Sequence, residues 1–298
     1  VGLRPHDPTA ASLVLREVDG AAIAPALAEP ISAAVVQHGA PVRSIRFVEA
    51  DVETVDAEGR LRRFPRDGRG RVQAFAQAEA DEPRRSPDGA LALREVGGRV
   101  LLALADGRLV RLSGATGPIE QVAWSPDGRW VAASARGGAV WLAPRTGGRA
   151  RVLARGGAPV RALAWARDGR RLAIGRDDGA LAVFQPQARA WRPLETAMVL
   201  GGAATALAFS PDGHGLAAGA DDGAIRLYSL DAPAVPPRSF LGHTDTITAL
   251  ALADDGVQLA SASEDGTARV WQPVPLALLI DVLPGPLNSV AWRPDGAE

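Results

Sequence analysis

The sequence predicts an all-β chain of repeated four-stranded units, and three observations carry that reading. A glycine placed after an acidic or small residue returns at Gly20, Gly59, Gly98, Gly138, Gly179, Gly223 and Gly266, a step of roughly 40 residues. A second turn keeps its own register, at Ser86-Pro87-Asp88-Gly89, Ser125-Pro126-Asp127-Gly128, Ala166-Arg167-Asp168-Gly169, Ser210-Pro211-Asp212-Gly213, Ala253-Asp254-Asp255-Gly256 and Arg293-Pro294-Asp295-Gly296. Between the turns, apolar residues alternate with small or polar ones at the period of a strand. Two interleaved turn series at this period are the signature of a β-propeller, one blade per period. Seven periods nearly fill the 298 residues, so one seven-bladed-type repeat domain is expected rather than two domains.

The segment from Leu241 to Trp271 displays one unit most clearly. Ile247 to Leu252 alternates as an innermost strand should, and Asp254-Asp255-Gly256 turns the chain with Gly256 free to take a positive φ. Val257 to Ser263 is the second strand, Glu264-Asp265-Gly266 the next tight turn, and Thr267 to Trp271 the third strand. A fourth, outer strand follows a more variable loop, which completes an antiparallel sheet.

Gly242-His243, followed by Ser261-Ala262-Ser263-Glu264-Asp265-Gly266-Thr267-Ala268-Arg269-Val270-Trp271, resembles a WD-repeat. In that family a histidine, a serine or threonine, an aspartate and a tryptophan form a hydrogen-bonded chain that stiffens the blade. The resemblance assigns this role to His243, Ser261 or Ser263, Asp265 and Trp271. Such a buried chain is tolerable only when every member is satisfied. The resemblance spans about residues 33 to 298, but most repeats are degenerate. The tryptophan slot holds Phe64, Ala103, Ala143, Phe184, Tyr228 and Trp271, and only His38 and His243 fill the histidine slot. The remaining units are expected to rely on packing, with Phe47, Trp124, Trp165, Phe209, Leu252 and Trp292 at one shared inner-strand position.

The N-terminus supports two readings. Repeat register makes Ser12–Val18, Ala21–Leu27 and Ile31–Gln37 the second, third and fourth strands of a blade that takes its first strand from Leu287–Trp292. That arrangement removes open sheet edges. Local chemistry favours a helix, since Asp7-Pro8 is a good helix start and Ala11, Val14, Leu15 and Val18 recur at helical spacing. We therefore divide the chain into a connector at 1–32, helical or closing, and a propeller at 33–298. With a helical connector the last blade is left incomplete. The chain begins at Val1 and stops a few residues into a repeat, so it reads as a piece of a longer protein. An Asp-Pro-Thr segment before WD-repeats resembles the connector of bacterial multidomain signalling proteins, such as those carrying Ser/Thr kinases or STAND-type ATPases.

Composition narrows the function. Net charge is −1, which points to neither nucleic acid nor a membrane surface. There is no cysteine, hence no disulfide, thiol catalysis or thiolate-bound metal. All basic residues are arginine, and alanine is abundant, a bias typical of high-GC bacterial genomes. The longest apolar run, Leu276 to Leu283, contains Asp281 and is too short to span a bilayer. No secretory signal opens the chain, and a cytoplasmic location is expected.

Catalytic and cofactor motifs are missing from the sequence. His6, His38, His214 and His243 have no zinc-ligand spacing, and the Asp-Gly pairs have the spacing of hairpin turns rather than of a calcium loop. We find no nucleophile elbow and no P-loop. Neither a catalytic residue, a cofactor nor a metal is assigned. Arg60, Arg62, Arg63, Arg66, Arg69 and Arg71, with Arg84 and Arg85 downstream, read as a solvated strand and loop, or alternatively as a docking patch for an acidic or phosphorylated partner. The loop Ala232 to Pro237 reads as a stiff connector.

In the WD-repeat family, partners often land where first-strand starts and second-to-third-strand turns converge. Repeat register puts Arg43, Glu120, Arg161, Thr205, Thr248 and Asn288 in the first set, and Ala57, Val96, Arg136, Asp177, Asp221 and Glu264 in the second. We assign partner contact to Arg43, Glu120, Arg136, Arg161, Asp177, Asp221, Thr248 and Glu264, a two-signed rim suited to orienting a peptide. The expected function is a noncatalytic protein-interaction scaffold. The competing class is a propeller that binds or hydrolyses a small molecule at its channel mouth, for which Asp177, Asp221 and Glu264 are the residues to test.

Overall fold

The computed structural model describes residues 31–38, 40–66, 73–75, 92–96, 99–103, 109–116, 118–146, 148–187, 190–194 and 198–272. Among them every regular element is a strand, and the strands form six sheets. The first sheet takes Val42–Val48, Asp51–Asp56, Leu61–Pro65 and Gln73–Phe75 in that order. The second takes Ala92–Val96, Arg99–Ala103 and Leu109–Thr116, with the short Gly148–Arg149 added in parallel outside. Ile119–Trp124, Trp130–Ala135, Ala139–Pro144 and Arg151–Arg155 make the third. The fourth contains Val160–Trp165, Leu172–Arg176 and Ala180–Gln187, whose outer edge pairs with both Ala190–Pro193 and Met198–Val199. Ala204–Phe209, Gly215–Ala220, Ile225–Ser229 and Arg238–Phe240 make the fifth. The sixth is Ile247–Leu252, Leu259–Ser263 and Thr267–Gln272, completed by Ile31–Gln37.

Both turn series have a physical basis in the same residues that repeat. At Ser125 to Gly128 the glycine N–H donates to the Ser125 carbonyl at 2.8 Å, and the Asp127 carboxylate accepts from the Arg129 N–H at 3.0 Å. Gly128 holds φ +66°, a conformation that a side chain would strain. Gly169, Gly213 and Gly256 repeat it. The turns between second and third strands end in the other glycine series, with Gly266 at φ +77°.

The second strand of each well-described unit is buried on both faces. Leu259–Ser263 is buried throughout, and Gly215–Ala220 and Trp130–Ala135 nearly so. Alanine, glycine and serine dominate these strands, which lets neighbouring sheets approach closely. Gly219 makes this explicit, because a Cβ there would lie 2.5 Å from Ile247 Cγ2 of the sixth sheet. Where the third and fourth sheets meet, Trp191 sits edge-on to Trp165 at 5.6 Å and to Trp130 at 6.2 Å. Trp165 also donates its indole N–H to the Ala123 carbonyl at 3.0 Å.

One expectation from repeat register is corrected. Ile31–Gln37 is a fourth strand, but its partner is Thr267–Gln272, running from Ile31 opposite Gln272 to Gln37 opposite Thr267. It does not complete a seventh unit with Leu287–Trp292. The inner strand Val42–Val48 lies directly beside Ile247–Leu252, and the Thr248 hydroxyl donates to the Val42 carbonyl. Among the described residues no further sheet stands between the sixth and the first. Register labels a segment as a fourth strand, whereas backbone pairing decides whose fourth strand it is. The other expected closing strands, Ser12–Val18, Ala21–Leu27 and Leu287–Trp292, lie outside the described residues, as does the alternative helix.

Candidate functional site

Local chemistry in the sixth sheet assembles a buried polar chain from three elements. His243 lies in the loop before the inner strand, Ser261 on the second strand, and Trp271 on the third. The indole N–H of Trp271 donates to Ser261 Oγ at 2.8 Å, so the serine hydroxyl is free to donate to His243 Nε2 at 2.7 Å. His243 Nδ1–H then donates to Asp265 Oδ2 at 2.8 Å. Burial pushes the His243 imidazole below its ordinary value despite the raising effect of Asp265. Asp265 is held at about 2; burial alone would raise it, but donors from Thr267 and His243 outweigh that. Ser263 stands outside the chain, donating to the Asp245 carbonyl at 2.9 Å and accepting the Asp265 N–H.

The first sheet carries a second, altered version that repeat reasoning missed in part. His38 Nε2 lies 2.9 Å from Thr54 Oγ1, the position matching Ser261. The carboxylate has moved, since Asp56 rather than Glu58 faces His38, at 3.5 Å from Nδ1. Asp56 also accepts from the N–H groups of Glu58 and Arg60 and from Arg60 Nε. Burial would raise its pKa, yet these donors pull it below the usual range. Phe64 replaces the tryptophan and supplies only packing. Between the fourth and fifth sheets the histidine slot is filled by Leu200, whose N–H meets the Gly179 carbonyl as that of His38 meets Gly266.

The predicted contact residues fall into pairs rather than one cluster. Arg43 of the first sheet meets Glu264 of the sixth at 3.3 Å, Arg161 meets Asp177 at 2.6 Å, and Arg136 meets Glu120 at 3.5 Å. Asp221 accepts the Ala203 N–H at 2.9 Å, and Thr205 donates to the Ile247 carbonyl at 2.6 Å in the manner of Thr248. Asp177, Asp221 and Glu264 thus each have a separate partner. Among the described residues no group of three or more His, Asp or Glu could hold a metal ion.

The arginine run is drawn into the fold where it is described. Arg60 pairs with Asp56 and Glu58, Arg62 donates to the Gln37 carbonyl, and Arg66 reaches Asp255 of the sixth sheet at 3.0 Å. Arg63 and Arg46 both donate to the buried Glu53. Arg69, Arg71, Arg84 and Arg85 lie outside the described residues. His214 sits 2.6 Å from Asp231 at the surface. Val235 donates to the Ala232 carbonyl, so the proline-rich loop turns on itself. No helix among the described residues is long and apolar enough to cross a membrane.

Comparison with known families agrees with this geometry. The WD domain, G-beta repeat, matches residues 107–142, 197–229 and 234–272. The third match covers the complete polar chain, and the first two cover units whose histidine slot is not histidine. These three stretches of the chain are therefore WD repeats. Repeats of this family form an interaction-module kind of fold, generally noncatalytic, that typically binds proteins or peptides. No curated protein matches the chain.

Proposed function

We propose that the chain is a noncatalytic module that binds a protein or peptide at the sheet ends bearing Arg43, Glu120, Arg136, Arg161, Asp177, Asp221, Thr248 and Glu264. The observation that carries the reading is the state of the ion pairs there. Arg43 and Glu264 are 55% and 39% exposed, and Arg161 and Asp177 54% and 40%. Exposed pairs of this kind are worth about 0–1 kcal/mol, so a partner's charges can replace them at small cost. Both signs occur along the same sheet ends, which favours an oriented ligand over a uniformly charged one. No single observation favours small-molecule turnover, because the three acids are separately engaged.

The module is read as a seven-bladed-type propeller that includes the six described sheets, preceded by a connector near residues 1–32 and belonging to a larger bacterial, cytoplasmic signalling protein. The test is capture of a partner on immobilised protein, beside the charge-exchanged variant Arg161→Asp/Asp177→Arg. Exchange keeps the pair and reverses the local potential, so the variant should stay folded. Saturable binding that falls at least about tenfold in the exchanged variant supports the reading. Equal binding by both, or none by either, overturns it.

A further inference from the structure

The connection between the third and fourth strands of the fifth sheet is longer than the fold requires. Ile225–Ser229 and Arg238–Phe240 pair antiparallel, with Leu227 opposite Arg238, yet all of Leu230 to Pro237 lies between them outside the sheet. The fourth sheet makes the same connection with the two residues between Gln187 and Ala190. Hairpin connections of about two to five residues are usual. Both feet of the longer loop are anchored. Leu230 is buried, and its N–H donates to the His214 carbonyl at 2.8 Å. Phe240 is fully buried and lies edge-on to Trp271 at 5.8 Å. Between these anchors every residue from Asp231 to Pro236 is exposed, Val235 to 59%.

What this loop displays is chemically specific. Ala232 to Val235 is a hydrogen-bonded turn, the Val235 N–H donating to the Ala232 carbonyl at 3.0 Å with Pro233 in second place. From Val235 onward covalent chemistry dictates extension. Val235 and Pro236 each precede a proline, which drives them out of the helical region, and both rings hold φ at about −65°. Val235-Pro236-Pro237 therefore forms one turn of polyproline II that runs into the extended Arg238. Neither proline has an N–H, so the segment offers carbonyls and ring faces rather than the ladder of a β-strand. Arg238 ends it with an exposed side chain that has no ion pair among the described residues.

We propose that Val235-Pro236-Pro237-Arg238 is a docking element for a partner protein whose aromatic groove reads polyproline II and ends in an acidic pocket. The aromatic faces take Val235 and the two rings, and the acid takes the Arg238 guanidinium. Stiffness favours this role, because a segment already extended has little conformational freedom left to lose on binding. The anchored feet hold it clear of the sheet surface. A plain connector needs only reach, which two residues supply in the fourth sheet. The element follows Ile225–Ser229, whereas Asp221 precedes that strand, so roughly 15 Å of strand separates it from the rim proposed above.

The test is calorimetric titration of the whole chain with purified SH3 and WW domains that carry an acidic residue at the groove end. Saturable binding by at least one of them is expected. Pro236→Ala/Pro237→Ala should weaken it at least about tenfold through lost pre-ordering, and Arg238→Glu at least about tenfold through charge reversal. An unchanged Tm shows that these loop variants are folded. Binding should persist in Arg161→Asp/Asp177→Arg, which alters only the rim, so the two sites stand or fail separately. No binding by any of the domains overturns the proposal. Binding that survives Pro236→Ala/Pro237→Ala, or that is lost on the rim exchange, overturns it equally. If the double alanine variant does not fold, a synthetic peptide of residues 230–239 takes its place. It should compete with the chain for the same domain, and failure to compete overturns the proposal.

Discussion

His243 owes its properties to two neighbours that act in opposite directions. Burial disfavours the imidazolium, and Asp265 favours it; burial prevails and the pKa falls below 6.5. His38 is lowered for the same leading reason, with Arg62 adding to it. A folded-state pKa below the unfolded one means that the unfolded chain takes up its proton first as pH falls. Stability is therefore complete above pH 6.5 for the histidines and declines below it. Asp265 follows at lower pH. Its pKa drops from 3.8 to about 2, so its contribution, on the order of 2 kcal/mol, is present above 3.8 and is lost as pH falls towards 2. Urea denaturation from pH 8 to 2 should give two declining limbs, and His38→Gln/His243→Gln should flatten the first. A first limb unchanged in that variant would remove the histidines from the account. At this scale the sequence was legible only where a residue type is confined to one chemistry. The histidine slot named His38 and His243 correctly as counterparts. It could not separate Ser261 from Ser263, both fully buried, because the choice depends on which hydroxyl faces the indole N–H. Asp56 was hidden for a related reason, standing two positions before the place the repeat reserves for an acid.

At the level of the element, the decisive residues are those with almost no side chain. Gly175 and Gly219 occupy equivalent second-strand positions, and a Cβ on either would lie within 3 Å of the next sheet, on Ala204 and on Ile247. These glycines are required by sheet spacing and not by backbone angle. Gly256 is the converse case, with φ +70° and open space around its missing Cβ. Gly219→Ala should cost about 2 kcal/mol by overpacking, and Gly256→Ala about 1 kcal/mol through φ alone. In a double-mutant cycle with Ile247→Ala, the Gly219→Ala loss should shrink by about 1 kcal/mol, whereas the Gly256→Ala loss should stay the same. Chemical denaturation measures all of these, and equal coupling at both glycines would refute the distinction. The turn glycines were readable from sequence because Asp-Gly and a fixed step announce them. The packing glycines were not, since a glycine inside a strand carries no mark of what lies opposite. The outer strands were least legible. Ala190–Pro193 and Met198–Val199 share one edge of the fourth sheet, and Gly148–Arg149 adds in parallel to the second. Such edges are fixed by a few backbone bonds that leave no hydrophobic period.

For the whole chain, the most consequential contact joins segments far apart in sequence. Ile31–Gln37 completes the sixth sheet, and the same segment runs through His38 into the inner strand of the first. One short stretch thus ties the last described repeat to the first. Arg43 with Glu264, Arg66 with Asp255 and Thr248 with Val42 add polar links across the same junction. A 40-residue period told how the chain is divided but was silent on this join, because register repeats identically in every unit. The join makes a definite demand. A chain beginning at Ala40 lacks the outer strand, leaving the backbone of Thr267–Gln272 as a bare edge beside the buried Val270 and Trp271. It also loses the His38 partner of Thr54 and the Gln37 carbonyl that takes Arg62. Its Tm should fall by roughly 10 °C, and light scattering should detect association through the exposed edge. A synthetic peptide of residues 29–40, supplied in excess, should restore part of the Tm and suppress the association, while the same peptide with Val36→Asp should not, because Val36 is buried in the core shared with Val42 and Ile45. A truncated chain as stable and as monomeric as the parent would show that the strand merely rests on the sixth sheet and does not hold the two ends together.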